Sequence, residues 1–500
     1  MLKELIKVFG ETVIYGLTGV ASTLASVFLV PFYTRVLTPE EYGISALIGT
    51  LFTIMVAVAN MGMGSAIFRT YFRAKEKERP VVAGTSLISQ TFFPFVISAL
   101  LFILANLISR MLFGIGSQAY LIQLASVALF FNAGIVVPLA LLRAAGKPAN
   151  YVSINLVKLF LTIIISIILV VNLRFGLLGV YWANLIGAVA GYIMGMWYCI
   201  RGVRLVFSKS WFIEMTRFGL PLVPAGLAMW VINSSDRYFL NAFASTADVG
   251  IYNVGYKVGS LVTLVVSAVQ LAYSRFMFSI YNDRKDAKYF FKKISTYFFL
   301  VIFTFALAIS IFSKEVIQIF TGSAFHSAYI VIPLVSLSYV AYGLYFNFTT
   351  GVYVVGKSYF SAISAAIAGV SNLVLNYFLI SRFGMIGAAV STLASFIILA
   401  AVQLKFSQSI YKIPFEFKRL LIVLMVGGGL IYASTLVSFS LLLSIVIKSL
   451  LLLSFPILLH ILGFFDEREI KKIVRIWEIA KSARFRPAAV LDSIRQELIT

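Results

Sequence analysis

The sequence has very few of the residues that build metal or redox sites. Among its 500 residues there are one cysteine, Cys199, and two histidines, His326 and His460. A single cysteine cannot form an internal disulfide, and three such residues are too few for a zinc or iron site. We therefore expect no metal and no cofactor.

Charged residues are also scarce. They make up 12% of the chain, whereas 61% of the residues are hydrophobic and the mean hydropathy is +0.97. A chain of this composition has too little polar surface to cover several water-soluble domains, and it is not typical of disordered, collagen-like or secreted disulfide-bonded proteins. The composition predicts an all-α polytopic membrane protein covered largely by lipid.

Apolar runs of about 20 residues, the length that crosses a bilayer as a helix, occur fourteen times. The predicted spans cover residues 10–34, 43–68, 83–108, 115–142, 149–171, 177–200, 218–240, 247–272, 292–312, 327–353, 358–380, 384–404, 420–438 and 442–463.

Basic residues are unevenly divided between the loops on the two sides of these spans. If both termini are cytoplasmic, 32 of the 41 Lys and Arg residues lie in inner loops and tails, six in outer loops and three within spans. Such an inner excess is typical of membrane proteins. The net charge of +22 thus indicates contact with anionic membrane lipids and not with nucleic acid. We expect a multi-pass protein of the cell (plasma or inner) membrane.

The chain contains an internal repeat. Gly146-Lys147, followed by a span and an Arg-Phe-Gly motif at 174–176, recurs as Gly356-Lys357, a span and Arg-Phe-Gly at 382–384. A weaker match, at an offset of 207, aligns residues 37–44 with residues 244–251. Because an offset of six spans is even, both copies have the same orientation across the membrane.

The repeat predicts two six-helix lobes, at residues 1–207 and 208–412, which would rock about a site at their interface. Two extra helices at 413–463 and a cytoplasmic amphipathic tail at 464–500 follow. In the tail, apolar residues at helical spacing predict a helix on the inner membrane surface, with partner docking as the alternative.

Ionisable side chains within the predicted spans are the main candidates for function, because a charge in a bilayer needs a wet cavity or a partner. Lys158 shares a helix face with Asn155, Thr162 and Ser166. In span eight, Asn253 and Lys257 lie one turn apart.

Weaker candidates lie nearer the span ends. Asp236 and Arg237 follow Asn233 at the end of span seven, where capping and anchoring of the helix is the alternative. For Glu11, close to the inner surface, extension of the side chain to the interface is the alternative to ion coupling or gating. The same argument for buried polar groups adds Asn60 and Arg69 in span two, and Asn372 and Asn376 in span eleven.

The embedded charges have one sign. Lys158 and Lys257 lie well inside their spans, and no carboxylate lies at mid-membrane. A cationic cavity favours an anionic substrate, and a diphosphate would keep a desolvated ammonium charged. The candidate substrate-binding residues are therefore Lys158, Lys257, Arg237, Arg69, Asn155, Asn253, Asn60 and Asn233, and the candidates for ion coupling or gating are Glu11 and Asp236.

Four segments resemble the oligosaccharide flippases, the polysaccharide transporters of the multidrug/oligosaccharidyl-lipid/polysaccharide exporter superfamily. They are LTPEEYG after span one, GLPLVPAGLAMWVINSSDRYFLNAF through span seven, VGIYNVGYK at the start of span eight, and GKS with NYFLISRFGMIGAAVSTL across spans eleven and twelve. The resemblance implies translocation of polyprenyl-diphosphate-linked sugars to the outer leaflet by alternating access.

Lipid II flippases of this superfamily use several arginines in the first two spans, whereas here the first is Arg35 and the next is Arg69. This difference favours a polysaccharide repeat unit over lipid II as the substrate. The expected partners are this lipid-linked oligosaccharide and membrane lipids, with polysaccharide polymerase or assembly machinery as a further candidate. The alternatives are a multidrug/cation antiporter, a membrane glycan polymerase or ligase, and a non-transporting scaffold.

Overall fold

The computed structural model describes residue 16 and residues 18–200, 203–283, 286–437, 439–467 and 469–471. These residues are predominantly helical, and no β-strand occurs among them. The all-α membrane fold expected from the composition is confirmed.

The main helices are numbered here in chain order. They are α1 Thr18–Thr34, α2 Pro39–Arg73, α3 Arg79–Ile103, α4 Ala119–Ala144, α5 Pro148–Asn172, α6 Gly176–Ile200, α7 Lys209–Ser234, α8 Thr246–Gly259 continued by Val262–Asp283, α9 Ala287–Ile311, α10 Ser323–Ile330 continued by Ile332–Val354, α11 Tyr359–Ile410, α12 Phe417–Leu436 and α13 Leu441–Ile461. Short helices Ala105–Phe113, Asp236–Phe243 and Ser313–Phe320 follow α3, α7 and α9.

Ten helices in the described part of the chain are long and apolar enough to cross a membrane, or up to twelve if each bent pair is one span. The 52 residues of α11 would extend roughly 78 Å as one straight helix, more than twice the hydrocarbon thickness of a bilayer. Its backbone is non-helical at Gly384, where φ is 53° and ψ is −128°. This break separates predicted spans eleven and twelve, and the count of fourteen spans remains a prediction.

The two copies of the weaker repeat begin their helices in the same way. Thr38 caps α2, and its hydroxyl accepts a hydrogen bond from the Glu41 amide at 3.2 Å. At the equivalent position Ser245 caps α8 and accepts from the Asp248 amide at 3.1 Å. Both caps satisfy backbone donors that the first turn of a helix leaves free.

The Gly-Lys motifs also adopt matching conformations. Gly146 and Gly356 have φ values of 64° and 76°, in the left-handed region that favours glycine. The amide of Lys147 then donates to the carbonyl of Leu142, and that of Lys357 donates to Val352, each at 2.9 Å. These are helix-terminating turns in which glycine reverses the backbone, so the two repeat copies end α4 and α10 alike.

The first part of α2, Pro39–Asn60, packs against the first part of α8, Thr246–Gly259. The contact depends on Gly43 and Gly250, which lie at equivalent positions of the repeat. A Cβ atom at Gly43 would overlap the carbonyl of Thr246, and one at Gly250 would overlap that of Pro39. Only glycine allows the two backbones to approach this closely.

The second part of α2 follows a different course. Met61 and Gly62 adopt positive φ values of 47° and 68°, which break the helix. Beyond the break, Met63–Arg73 packs against Lys209–Gly219, the first part of α7. Met63, Ile67 and Met215 are buried together in one apolar core.

Contacts divide the chain into two compact units, Met1–Pro414 and Phe415–Thr500. In the second unit α12 packs against α13, and the Arg419 guanidinium pairs with Asp466 at 2.6 Å and with Glu469 at 3.0 Å. The predicted division into two lobes, two extra helices and a tail remains a prediction. Residues 472–500 of the predicted tail lie outside the described residues.

Candidate functional site

Two adjoining cavities lie among the helices of the first unit. One has a volume of about 580 Å³ and the other of about 540 Å³. They share a wall that is formed by Ser45, Gly49, Thr53, Val180 and Asn184. We call the two together the central cavity. Among the described residues, its lining includes Lys158, Arg237 and Lys257 but no Asp or Glu.

Lys158 reaches the central cavity from α5. Its Nζ donates a hydrogen bond to Oδ1 of Asn132 on α4. The amide of Asn132 in turn donates to Oδ1 of Asn184 at 3.4 Å. Glycines Gly187 and Gly191 of α6 lie directly against the backbone and Cβ of this α5 face, so the small residues of one helix make room for the polar face of the next.

Lys257, on α8, lines the other of the two adjoining cavities. Its Nζ donates to the hydroxyl of Tyr42 at 2.8 Å and lies 5.0 Å from the centre of the Tyr42 ring. Tyr42 belongs to α2, so this contact joins the two repeat copies. The partner is uncharged, and the positive charge of Lys257 is therefore not neutralised by it.

Arg237 is held more tightly than either lysine. Its guanidinium pairs with Asp236 at 3.1 Å, donates to Oδ1 of Asn253 at 3.3 Å and lies 4.4 Å from the centre of the Tyr256 ring. The side chain is buried.

Asp236 is fully buried beneath Arg237. Besides the ion pair, it accepts hydrogen bonds from the hydroxyls of Tyr252 and Thr392. A buried carboxylate that is paired and hydrogen-bonded in this way positions its partner and offsets its charge. The net positive charge of the central cavity thus comes mainly from Lys158 and Lys257.

The structure brings some sequence-predicted residues together and separates others. Asn253 lines the central cavity with Lys158, Lys257 and Arg237. Asn233 lies beside it, and its side-chain Oδ1 accepts from the hydroxyls of Tyr256 and Tyr339 at 3.2 and 3.1 Å.

Besides Asn233, three of the predicted substrate-binding residues lie outside the lining of the central cavity. Asn155 donates to the Tyr151 carbonyl of its own helix at 2.8 Å, and Asn60 accepts from Gln90. Arg69 lines a separate cavity, because the break at Gly62 directs the second part of α2 toward α7. Glu11 lies outside the described residues.

Tyr42, Asn132 and Asn184 are site residues that the sequence reasoning missed. Asn132 and Asn184 are polar residues inside predicted spans four and six, so the argument that selected Lys158 applies to them equally. Tyr42 stands next to Gly43 in the repeat motif, but nothing in its spacing indicates that it faces Lys257.

The two repeat copies also make matching contacts near one end of the central cavity. Arg35, after α1, donates to the carbonyl of Ile319 at 3.5 Å. Asn241, after α7, donates to the carbonyl of Leu112 at 2.8 Å. The acceptors lie 207 positions apart and the donors 206 apart. Each copy therefore contacts the other through nearly equivalent residues at the end that carries Gly43 and Gly250.

Helices of this length around a polar cavity define a multi-pass membrane transporter. The sequence matches the family described as polysaccharide biosynthesis protein over residues 32–330. The chain belongs to this family, and the resemblance to oligosaccharide flippases and polysaccharide transporters is confirmed.

Curated relatives and solved structures agree with this assignment. The chain is 21% identical over 328 residues to Lsg locus putative protein 1 of Haemophilus influenzae, covering 64% of this chain and 78% of that protein. It is 24% identical over 202 residues to the probable low-salt glycan biosynthesis flippase Agl15 of Haloferax volcanii, covering 38% and 42%. The fold is similar to that of the lipid II flippase MurJ in an inward closed conformation, with a TM-score of 0.74, 17% identity and coverage of 89% of this chain and 98% of that one.

The same fold also occurs in a multidrug resistance transporter of the MATE family in the MOP superfamily, with a TM-score of 0.66 and 17% identity, covering 78% of this chain and 94% of that one. The fold by itself does not choose between a lipid-linked sugar and a drug as the substrate. That choice depends on the chemistry of the cavity.

Proposed function

We propose that this protein moves a polyprenyl-diphosphate-linked oligosaccharide, the repeat unit of a polysaccharide, from the inner to the outer leaflet of the cell membrane. The observation that carries the proposal is the lining of the central cavity, where the described part of the chain contributes Lys158, Lys257 and Arg237 and no carboxylate. Family membership supports a flippase of polysaccharide biosynthesis.

The diphosphate is the part of the substrate that this charge pattern fits. The Nζ atoms of Lys158 and Lys257 donate to neutral oxygens, and neither has a carboxylate partner within the described part of the chain. An anion bound in the central cavity would supply a countercharge in a site partly removed from water. The sugars would contact the hydroxyl and amide groups of Ser45, Thr53 and Asn184, and the prenyl chain would stay in lipid.

We infer alternating access from the contacts that join the two repeat copies. The contacts around Gly43, Gly250, Arg35 and Asn241 would close the central cavity at the end that the loop charges predict to be outside. Release of the substrate to the outer leaflet would require these contacts to open while the other end of the central cavity closes. In this scheme both termini lie in the cytoplasm, and the roles of Asp236 and Glu11 in coupling or gating stay predictions.

A transporter of cationic drugs is expected to place a carboxylate in its cavity. Asp236, which is next to the lining residue Arg237 in the sequence, is already paired with it. The positive charge of the central cavity therefore favours a lipid-linked sugar over a cationic drug as the substrate.

The test is transfer of an undecaprenyl-diphosphate oligosaccharide between leaflets of proteoliposomes. We expect transfer by the wild type and at least a tenfold loss in Lys158→Gln/Lys257→Gln. The matched control is Lys405→Gln/Lys412→Gln, which removes the same charge from two exposed lysines beyond the cavity and should keep wild-type transfer.

Equal transfer by the wild type and Lys158→Gln/Lys257→Gln would support the flippase function but show that the two lysines do not form the substrate site. Uptake of cationic drugs without any lipid transfer would identify an antiporter. No transfer of either kind would favour a polymerase, a ligase or a scaffold.

A further inference from the structure

A second basic cavity lies apart from the central one, between the second part of α2 and the first part of α7. Its volume is about 540 Å³, and its lining includes Arg69, Arg73, Ser210, Glu214 and Arg217. None of these residues lines the central cavity. We call it the α2–α7 cavity.

Two glycines hold the walls of this cavity together. A Cβ atom at Gly62 would overlap the carbonyl of Gly219, and one at Gly219 would meet the carbonyl of Met61. The two backbones thus touch at the helix breaks, and Met215 anchors the α7 side in the apolar core. Because the backbones approach so closely, the helix positions that carry Arg69 and Arg217 are set on the two sides of the cavity before any ligand binds.

The cavity has an excess of positive charge. Glu214 is the one carboxylate that the described residues contribute to its lining, and it pairs with Arg73 at 3.0 Å. The Arg69 guanidinium lies 4.6 Å from the centre of the Phe218 ring. Neither Arg69 nor Arg217 has an ion-pair partner within the described residues. Two planar guanidinium groups thus remain available for an anion, and their geometry suits phosphate oxygens.

Exposed apolar side chains border the arginines. Phe68 and Phe72 flank Arg69 along α2, and Ile213 and Leu220 flank Arg217 on α7. In a membrane protein such side chains contact hydrocarbon. Basic groups next to them would lie where lipid headgroups lie, at the end of the bundle that the loop charges place inside.

We propose that the α2–α7 cavity binds the phosphate of a lipid, with Arg69 and Arg217 on the phosphate and the lipid chain along the bordering apolar side chains. The phosphate belongs either to an anionic phospholipid or to a prenyl diphosphate. This site is distinct from the central cavity, and it does not depend on transport.

The test uses the full-length protein in phosphatidylcholine nanodiscs and measures bound lipid by native mass spectrometry. Phosphatidylglycerol, a prenyl diphosphate and inorganic diphosphate are titrated in separate arms. In Arg69→Gln/Arg217→Gln we expect at least a tenfold loss of affinity for phosphatidylglycerol, for the prenyl diphosphate, or for both. The matched control is Arg143→Gln/Lys405→Gln, which removes equal charge from exposed residues at the same predicted end and should bind like the wild type.

Arg69→Lys/Arg217→Lys keeps the charge but not the planar guanidinium, so it should bind more tightly than Arg69→Gln/Arg217→Gln and less tightly than the wild type, which separates the role of charge from a folding defect. The lipid whose binding is lost identifies the natural source of the phosphate. Unchanged affinity in Arg69→Gln/Arg217→Gln would overturn the site. Inorganic diphosphate binding as tightly as both lipids would overturn the role of the lipid chain.

Discussion

Gly43 and Gly250 lie 207 positions apart, and each is pressed against the start of the other's helix. Gly43 contacts the Thr246 carbonyl, and Gly250 contacts the Pro39 carbonyl, which are themselves 207 positions apart. The contact therefore has an approximate two-fold symmetry that comes directly from the sequence repeat. It explains why both copies of a weak motif keep glycine at the same place.

Alanine at Gly43 or Gly250 should weaken this contact. Overpacking of such a site costs about 1–3 kcal/mol, which corresponds to roughly 5- to 150-fold in the balance between two states. We expect faster labelling of a cysteine at Thr53, which lines the central cavity, by an impermeant reagent from the predicted outer side. The labelling is measured in a Cys199→Ser background.

Gly226→Ala is the control for these variants, because a Cβ atom at Gly226 has no neighbour within 4 Å. It should label at the wild-type rate. The same rate in Gly43→Ala would mean that the glycine contact does not limit access to the cavity.

Tyr42 and Lys257 should be energetically coupled. Tyr42→Phe removes the hydroxyl that accepts from Nζ but keeps the ring beside it. A hydrogen bond to a charged group contributes about 1.5–3 kcal/mol. In a double-mutant cycle with Lys257→Met, measured on the thermal stability of the purified protein, we expect a coupling energy of about 1 kcal/mol or more. Additive effects would show that the contact contributes little.

Asp236→Asn should be strongly destabilising. The substitution leaves the buried Arg237 guanidinium without its countercharge, and breaking a buried pair from one side costs about 3–5 kcal/mol. The melting temperature of the detergent-purified protein should fall clearly. In Asp236→Asn/Arg237→Gln the melting temperature should fall less, because both charges are removed. An equal or larger loss in the double variant would contradict this explanation.

The break at Gly384 predicts that α11 crosses the membrane twice. Phe383 is 58% exposed beside the break, and Lys405 is exposed near the other end of the helix. Single cysteines at these two positions should react with impermeant reagents from opposite sides of the membrane. Labelling of both from the same side would exclude two spans within residues 359–410.

Much of the fold could be predicted from local patterns. Apolar runs located the helices to within a few residues, as for predicted span 149–171 and the observed Pro148–Asn172. The Gly-Lys motifs, which the sequence marked only as copies of a repeat, adopt matching turns at Gly146 and Gly356. These features depend on hydrophobicity and on backbone conformation, which neighbouring residues largely determine.

The helix breaks were less predictable. The positive φ values at Met61 and Gly62 occur inside an apolar run that is predicted as one span. Because the break follows from the close approach of Gly219 on another helix, no local pattern indicates it. It separates Arg69 from the lysines that the sequence grouped with it.

The sequence by itself determined that this protein is a membrane helix bundle with a repeated architecture and embedded positive charge, because hydrophobicity, motif spacing and charge are properties of single residues along the chain. Only the tertiary structure decided which charges share a cavity. Lys158 and Lys257 belong to helices distant in the sequence, and they meet in one cavity because glycine contacts fix how those helices pack. Arg69 is directed elsewhere by the same kind of contact.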